Sequence, residues 1–425
     1  MNPTIMIMIN DLVSQICQFG GKPYYVGGYV RDLLMGLPTK DIDIVITNIT
    51  QSDLEKALFP FKPKYCGAVF GVYKIENYDI ALPRLEVSRG IGHTDFHISI
   101  HKDISLNDDL GRRDFSINAM AMDILTEEII DPYQGQKDLK NKIIRQLNTK
   151  SIEEDYLRGL RAIQFSSRLN FIIEEKTVEN ILKYRYLLPS ISAERVQLEL
   201  NKLLLSNNLS LGFSYLEKTH LMEDLYPHLH SLYTSNQSYY RKLLDTISHS
   251  EKDIELRLSL LFNPLHMTTN HHQHNICSTE SLHIIENKLK DFKYSNKIIS
   301  SVLTLISDPI LDGTNFVIKK TLGHYGLTMT KRMLLFYYYT SVLSCYNELN
   351  YTLSSLYSEL ERVINSNEPN TLSDLAVNGS DLICLGLSGK DIGITLNYLL
   401  DCVLESPELN TKETLFKLAK THTRN

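Results

Sequence analysis

Short apolar runs separated by turn residues fill the first third of the chain, and apolar residues at helical spacing fill most of the rest. Runs over 69–75, 78–82, 96–100, 120–124 and 129–130 predict strands, since stretches this short and β-rich suit a sheet rather than a helix. Turn clusters such as Arg89-Gly90-Ile91-Gly92 stand between them. The rhythm changes near residue 140. From Glu153 onward apolar positions recur at three and four, as in Leu157, Leu160 and Ile163, and again in Val196, Leu198, Leu200, Leu203 and Leu204. The expected fold class is α+β: a mixed-sheet head followed by an all-helical remainder. Residues 264–280 read as a linker, with a further break at Asn365–Pro369. The apolar start, MNPTIMIMINDLVSQI, lacks a basic leader and carries Asp11, so it predicts an amphipathic helix and not a signal peptide. No run reaches the length of about 18 apolar residues that a membrane span needs.

Candidate chemistry concentrates in residues 24–47. The run Tyr24 to Val26 meets Gly27-Gly28, a helical stretch carrying Arg31 and Asp32 follows, and a turn at Gly36-Leu37-Pro38 leads to Asp41-Ile42-Asp43-Ile44-Val45-Ile46. Side chains two apart on a strand share a face, so Asp41 and Asp43 project together while Ile42, Ile44 and Ile46 enter the core. Paired carboxylates of this kind can hold divalent metals against a nucleotide's phosphates. A glycine pair opening a helix lets backbone N–H groups approach the same phosphates. Each element alone also reads as a solvated turn or a plain loop; their order is what points to phosphoryl chemistry.

Two further blocks carry charge. In Asp108-Asp109-Leu110-Gly111-Arg112-Arg113-Asp114, the arginines could form only a surface ion-pair cluster. The functional alternative has one guanidinium on a triphosphate or ribose, oriented by Asp114. In Glu153-Glu154-Asp155-Tyr156-Leu157-Arg158-Gly159-Leu160-Arg161, a helix would put Asp155, Arg158 and Arg161 on one face at i, i+3 spacing. That spacing is also what an ordinary helix salt bridge uses. A fixed carboxylate beside a fixed guanidinium matches the amino group and ring nitrogen that cytosine and adenine share, and mismatches uracil and guanine.

The formal net charge of −6 over 425 residues excludes a generally polycationic chain, so any nucleic-acid contact must come from local patches. The six cysteines are scattered without CxxC spacing, as expected of free thiols in a reducing cytoplasm. His271, His272 and His274 sit in a polar stretch without neighbouring carboxylates and read as a solvated loop. No His-Asp dipeptide occurs, so the simplest mark of a metal-dependent phosphohydrolase is missing.

Taken in order, GGYVRD…DID, DDLGRRDFSINAMAMD, IIDPYQGQKDLKNKIIR, EDYLRGLRAIQFSSRLNF and ISAERVQLELNKLL resemble the class II tRNA nucleotidyltransferases, the CCA-adding family with its poly(A)-polymerase-like relatives. The similarity is dense over about residues 20–230 and resumes weakly in the tail. It implies a polymerase-beta-like nucleotidyltransferase head at 1–148, a base-selecting helical neck at 149–215, a helical body at 216–300 and a tRNA-binding tail at 301–425. It also implies Mg2+ on Asp41 and Asp43, and nucleotide contacts from Gly27, Gly28, Arg31, Arg113 and Arg161. Asp155 and Arg158 match the base-selecting pair, with Glu154 holding Arg158, and Glu194-Arg195 match the helix that props it. The segment Asp131 to Asp138 matches one that flexes between C and A addition. The implied partners are tRNA, CTP and ATP, with no DNA and no membrane. Departures are Gln164, where an arginine is common, and a loop after Asp79 that keeps Arg84 and Glu86 but matches only in outline. The tail lysines Lys390, Lys412, Lys417 and Lys420 read equally as a solvated face or an RNA-facing one. Open alternatives are a CC-adding, A-adding or poly(A)-adding enzyme, and a non-catalytic RNA-binding protein.

Overall fold

The computed structural model describes residues 3–39, 41–66, 71–88, 96–100, 103–268, 279–307, 313–344 and 352–422. The turn at Arg89–Gly92 and the histidines at 271, 272 and 274 lie outside them. The chain divides into two compact units, Met1–His230 and Ser231–Asn425.

The first unit opens with α1 (Pro3–Gln18), whose Ile9, Leu12, Val13 and Ile16 are buried against the sheet core. A seven-stranded sheet follows in the order β3-β4-β5-β2-β1-β8-β9: β1 Lys22–Val26, β2 Ile42–Thr47, β3 Lys64–Cys66, β4 Val72–Ile75, β5 Tyr78–Ala81, β8 Ala121–Asp123 and β9 Ile129–Ile130. β2 and β5 run parallel and all other neighbours antiparallel, which makes the sheet mixed. β2 lies centrally, so Ile44, Val45 and Ile46 are all buried, and alternation gives way to burial on both faces. Helices α2 (Gly28–Leu34), α3 (Gln51–Leu58), α4 (Leu106–Gly111) and α5 (Gly135–Asn141) accompany the strands, and β6 (Arg84–Ser88) pairs with β7 (Phe96–Ile100) as a separate hairpin.

The helical part of this unit begins at α6 (Ser151–Glu154) and α7 (Leu157–Leu169). They are bracketed by two two-residue strands that pair in parallel, β10 (Ile143–Ile144) and β11 (Ile172–Ile173). Arg145 donates to Asp138 of α5 at 2.9 Å and pairs with Glu174 ahead of α8 (Glu175–Lys183), which ties the start of the helices to the sheet domain. α7 packs on α9 (Ala193–Leu204) and α10 (Leu209–Lys218), and Leu160, Ile163, Leu200, Leu203 and Leu216 on these helices are buried. α11 (Leu221–Leu225) completes the layer.

In the second unit the helix Ile254–Thr268 runs through Pro264. The stretch expected to be a linker from 264 is still helical to Thr268 and helical again from Thr279, residues 269–278 lying outside the described ones; Leu256, Leu260 and Leu261 of the first helix are buried. The helix Asn315–Leu343 is broken at Gly326, whose φ of 74° and ψ of 171° only glycine adopts readily. Leu375, Val377, Leu382, Leu399, Val403 and Leu415 form a separate small core near the C-terminus. There Lys412 pairs with Asp381 at 2.6 Å and Lys417 with Glu413 at 2.7 Å, so these two lysines already have acidic partners. No helix among the described residues is long and apolar enough to cross a membrane.

Candidate active site

A cleft of about 500 Å³ in the first unit brings all three charged blocks together. Gly28 and Arg31 come from α2, Asp43 from β2, Arg112, Arg113 and Asp114 from the turn after α4, and Asp155, Arg158 and Arg161 from the α6–α7 region. Arg84, Asn118, Leu157, Phe165, Arg168, Arg195 and Lys202 complete the wall. Eight arginines and one lysine face three aspartates there, so an acidic chain has a strongly cationic cleft. Asp41, Gly27 and Glu154 do not line it.

β2 begins at Ile42, leaving Asp41 exposed just ahead of the strand and Asp43 within it. Asp43 stands in register with Asp79 on β5. Its carboxyl opens into the cleft, yet the surrounding protein desolvates it and raises its pKa. Arg113 opposes that shift, while Asp79, Asp41 and Asp109 reinforce it. A carboxylate held among like charges is a place for a cation, and oxygen donors suit a hard divalent one. Among the described residues no group of three or more His, Cys, Asp or Glu could hold a metal unaided. A pair of carboxylates fits an ion that takes its remaining ligands from phosphate and water.

Gly27 adopts φ 70°, and a Cβ there would lie 2.3 Å from Nη1 of Arg113. Glycine thus serves both the turn into α2 and the close approach of the guanidinium. The carboxylate orienting the arginine pair is Asp109, not the expected Asp114. Its Oδ1 accepts from Arg112 Nη2 at 2.7 Å and its Oδ2 from Arg113 Nη2 at 3.2 Å. Burial pushes Asp109 upward, but the two guanidiniums overcompensate and its carboxyl ends below the ordinary value. Asp114 turns to α7 instead: its Oδ2 accepts from Arg161 Nε at 2.8 Å and Nη2 at 2.6 Å. Its desolvation is likewise outweighed, chiefly by Arg161 and Asn118.

Asp155 does not lie on the helix with Arg158 and Arg161. It has extended φ/ψ of −140° and 98° between α6 and α7. Its Oδ1 accepts from Leu157 N at 3.2 Å, which competes with continuous helix, and its Oδ2 accepts from Arg195 Nη2 on α9 at 2.8 Å. Nor does Glu154 hold Arg158: among the described residues that guanidinium donates to Ser151 Oγ at 2.8 Å and to the Arg112 carbonyl at 2.8 Å. Asp155 and Arg158 are therefore anchored separately, each to an element outside α7, and both face the cleft.

Residues 23–145 match the Poly A polymerase head domain, and residues 170–233 match the family described as the probable RNA and SrmB-binding site of polymerase A. The chain is 34% identical over 284 residues to the CCA-adding enzyme of Actinobacillus succinogenes, covering 61% of this chain and 70% of that protein. This chain belongs to the CCA-adding enzyme family. It is 35% identical over 222 residues to the Multifunctional CCA protein of Haemophilus ducreyi, a match that covers 51% of this chain and spans about half the length of that relative, 53%. The crystal structure of the Bacillus stearothermophilus CCA-adding enzyme in complex with CTP superposes with a TM-score of 0.75 at 24% identity, covering 100% of this chain and 98% of that one, a likeness of fold. Nucleotidyltransferases of this family use divalent metal ions.

Several residues in and around the cleft of this family member escape a reading by motif. Asn118 accepts from Arg31 Nη1 at 2.6 Å and donates to Asp114 Oδ1 at 2.9 Å, linking α2 to α7 through Asp114 and Arg161. Glu199 on α9, almost fully buried, accepts from Lys202 at 2.8 Å and lies 3.8 Å from Arg161. Gln164 is 2% exposed, lies off the cleft wall and has no partner for its Nε2 among the described residues. It brings no charge to the cleft. Asn118 must donate on one side and accept on the other, which gives a pH test. In Asn118→Asp the new carboxyl faces Asp114 and works as the amide did only when protonated. Its nucleotide-addition rate relative to wild type is expected to recover by on the order of tenfold as pH falls from about 8 to about 5.5. Asn118→Leu should show no recovery. Paired pH–rate profiles decide it, and a flat ratio for Asn118→Asp contradicts the relay.

Proposed function

We propose that this protein is a CCA-adding tRNA nucleotidyltransferase that adds C, C and A to the tRNA 3′ end from CTP and ATP, without a nucleic-acid template, releasing pyrophosphate. The observation that carries the reading is the convergence of Asp43, the Gly28–Arg31 turn and the Asp155–Arg158 pair in one cationic cleft. Family membership supports it, as do the names of the relatives and the CTP bound by the B. stearothermophilus enzyme.

In this mechanism the tRNA 3′-oxygen forms a bond to the α-phosphorus as the bond from that phosphorus to the β-bridging oxygen breaks. Asp41 and Asp43 would hold Mg2+, which when bound would lower the pKa of the attacking hydroxyl, whose proton leaves to water, and would offset the charge developing on the phosphate. Gly27, Gly28 and Arg31 hold the triphosphate at the start of α2, and Arg113 contacts the nucleotide beside Asp43. Asp155 accepts from the exocyclic amino group of the base while Arg158 donates to its ring nitrogen. Their other bonds leave room for this, since each carboxylate oxygen has two lone pairs and the guanidinium five N–H groups. Arg161 bridges from Asp114 toward the phosphates. Residues 1–148 act as catalytic head, 149–215 as neck, 216–300 as body and 301–425 as tail, which would hold the tRNA. A cytoplasmic setting agrees with the free thiols of Cys17, Cys66, Cys384 and Cys402.

The test uses tRNA transcripts with defined ends. One lacking CCA should gain two residues from CTP alone; one ending in CC should gain a single residue from ATP alone; both nucleotides together should stop at CCA. CC product that never receives A would replace this reading with CC addition. A on a CC end without C addition would indicate an A-adding enzyme, and long A tails a poly(A) polymerase.

A further inference from the structure

Most cations on the cleft wall are already engaged. Arg31 bonds Asp32 and Asn118, Arg112 and Arg113 bond Asp109, Arg161 bonds Asp114, and Arg195 bonds Asp155. Arg168 differs: among the described residues its guanidinium makes no hydrogen bond and no ion pair. It lies against the Phe165 ring, 4.8 Å from the centroid. Arg31 and Arg161 approach the same ring at 5.2 and 5.4 Å. Three guanidiniums therefore gather around one aromatic side chain, and one of them keeps all of its donors.

Arg168 is exposed, so its unused donors are open to an incoming anion, and the like charges gathered beside it favour one. Desolvation, and then the positive charges of Arg31 and Arg161, pull the pKa of Arg168 below the ordinary arginine value, with only partial relief from Asp32 and Glu199. Contact with the Phe165 ring leaves the N–H groups of the fork unused. Phosphate oxygens complete such a fork.

We infer that Arg168 is a binding residue for the terminal, pyrophosphate-leaving end of the nucleoside triphosphate. The position along α7 selects this phosphate over the RNA backbone. Arg158, at the base-reading end, precedes Arg168 by ten residues, about 15 Å along the helix axis. Arg161, Phe165 and Arg168 follow at spacings of four and three, on one face. A nucleotide whose base meets Arg158 and whose phosphates pass Arg31 and Arg161 directs its last phosphate to Arg168. The inference rests on the proposed function for the orientation of the nucleotide.

Titration of full-length protein with magnesium tripolyphosphate, followed by calorimetry, tests the site without catalysis. Arg168→Ala should weaken binding by about tenfold and Arg168→Lys by about threefold, since a point charge keeps attraction but loses the fork. In steady-state assays Arg168→Ala should raise KM for CTP and for ATP by the same factor, weaken product inhibition by pyrophosphate, and leave KM for tRNA unchanged. Unchanged tripolyphosphate affinity in both variants overturns the assignment. So does a rise confined to KM for tRNA, which would place Arg168 on the RNA backbone. If wild-type protein adds neither C nor A yet binds tripolyphosphate through Arg168, the CCA-adding reading fails and the phosphate site stands.

Discussion

Asp43→Asn is expected to reduce nucleotide addition at least about 10³-fold, roughly 4 kcal/mol of transition-state stabilisation, without loss of folded stability. Both halves follow from one geometry. Asp43 has Asp79 in register beside it, and Asp41 and Asp109 add to the negative field, so ionised Asp43 is an unfavourable charge that a bound cation would relieve. The amide keeps the shape of the side chain and removes the charge. In chelator-treated buffer at pH 7 the variant should therefore melt no lower than wild type, and preferably higher. The sign with pH is fixed by the raised carboxyl. The unfolded chain releases this proton first as pH rises, so the cost of Asp43 is absent below the ordinary carboxylate value of 3.8 and grows as pH climbs through its folded value. The melting-temperature gain of Asp43→Asn should shrink as pH is lowered toward 3.8. Asp41→Asn should match the loss of activity, because the proposed metal site needs both carboxylates. Near wild-type turnover in either variant, with Mg2+ as the added ion, would remove them from the metal site.

The parts of this site that a reader of sequence can find are those encoded in a few consecutive residues. A glycine pair at the start of a helix and two aspartates flanking an isoleucine are such local signals, and one member of each, Gly28 and Asp43, stands on the cleft wall, while Gly27 lies off it and Asp41 just ahead of β2. Side-chain partners are a different matter. Asp109 and Asp114 stand five residues apart with equal claims on Arg112 and Arg113, and only the fold gives Asp109 to them and Asp114 to Arg161 on α7. The i, i+3 spacing of Asp155 and Arg158 suggested one helix face, but the Asp155 carboxylate caps Leu157 N and its own backbone leaves the helix. Asn118 and Phe165 carry no charge to mark them in the sequence, since their contacts depend on Arg31, Asp114 and Arg168 arriving from elsewhere. The strands at Ile143–Ile144 and Ile172–Ile173 are too short for any period to reveal. Residues 264–280 read as a linker, yet the helix Ile254–Thr268 runs through Pro264, with Leu256, Leu260 and Leu261 of that helix buried.

Separate anchoring of Asp155 and Arg158 gives the second large effect. Asp155→Ala and Arg158→Ala should each lower the preference for CTP over UTP and for ATP over GTP by about 10²-fold or more. The reason is that rejection comes from buried polar groups left unmatched by the wrong base, and either truncation removes one of them. Asp155 is held by Arg195 from α9 and Arg158 by Ser151 and the Arg112 carbonyl, so neither substitution takes away the other's support. The two losses should then be comparable, and the double variant should fall little further, as expected for two halves of one recognition unit. Arg195→Ala provides the graded case: Asp155 keeps its bond from Leu157 N but loses the restraint on Oδ2, and discrimination should drop by about tenfold. The measurement is kcat/KM for each of the four nucleotides on primers awaiting C and on primers awaiting A, with KM for tRNA as the control that should stay within about twofold. If C and A remain preferred in both alanine variants, the pair only braces α6 and α7, and selection lies elsewhere in the cleft.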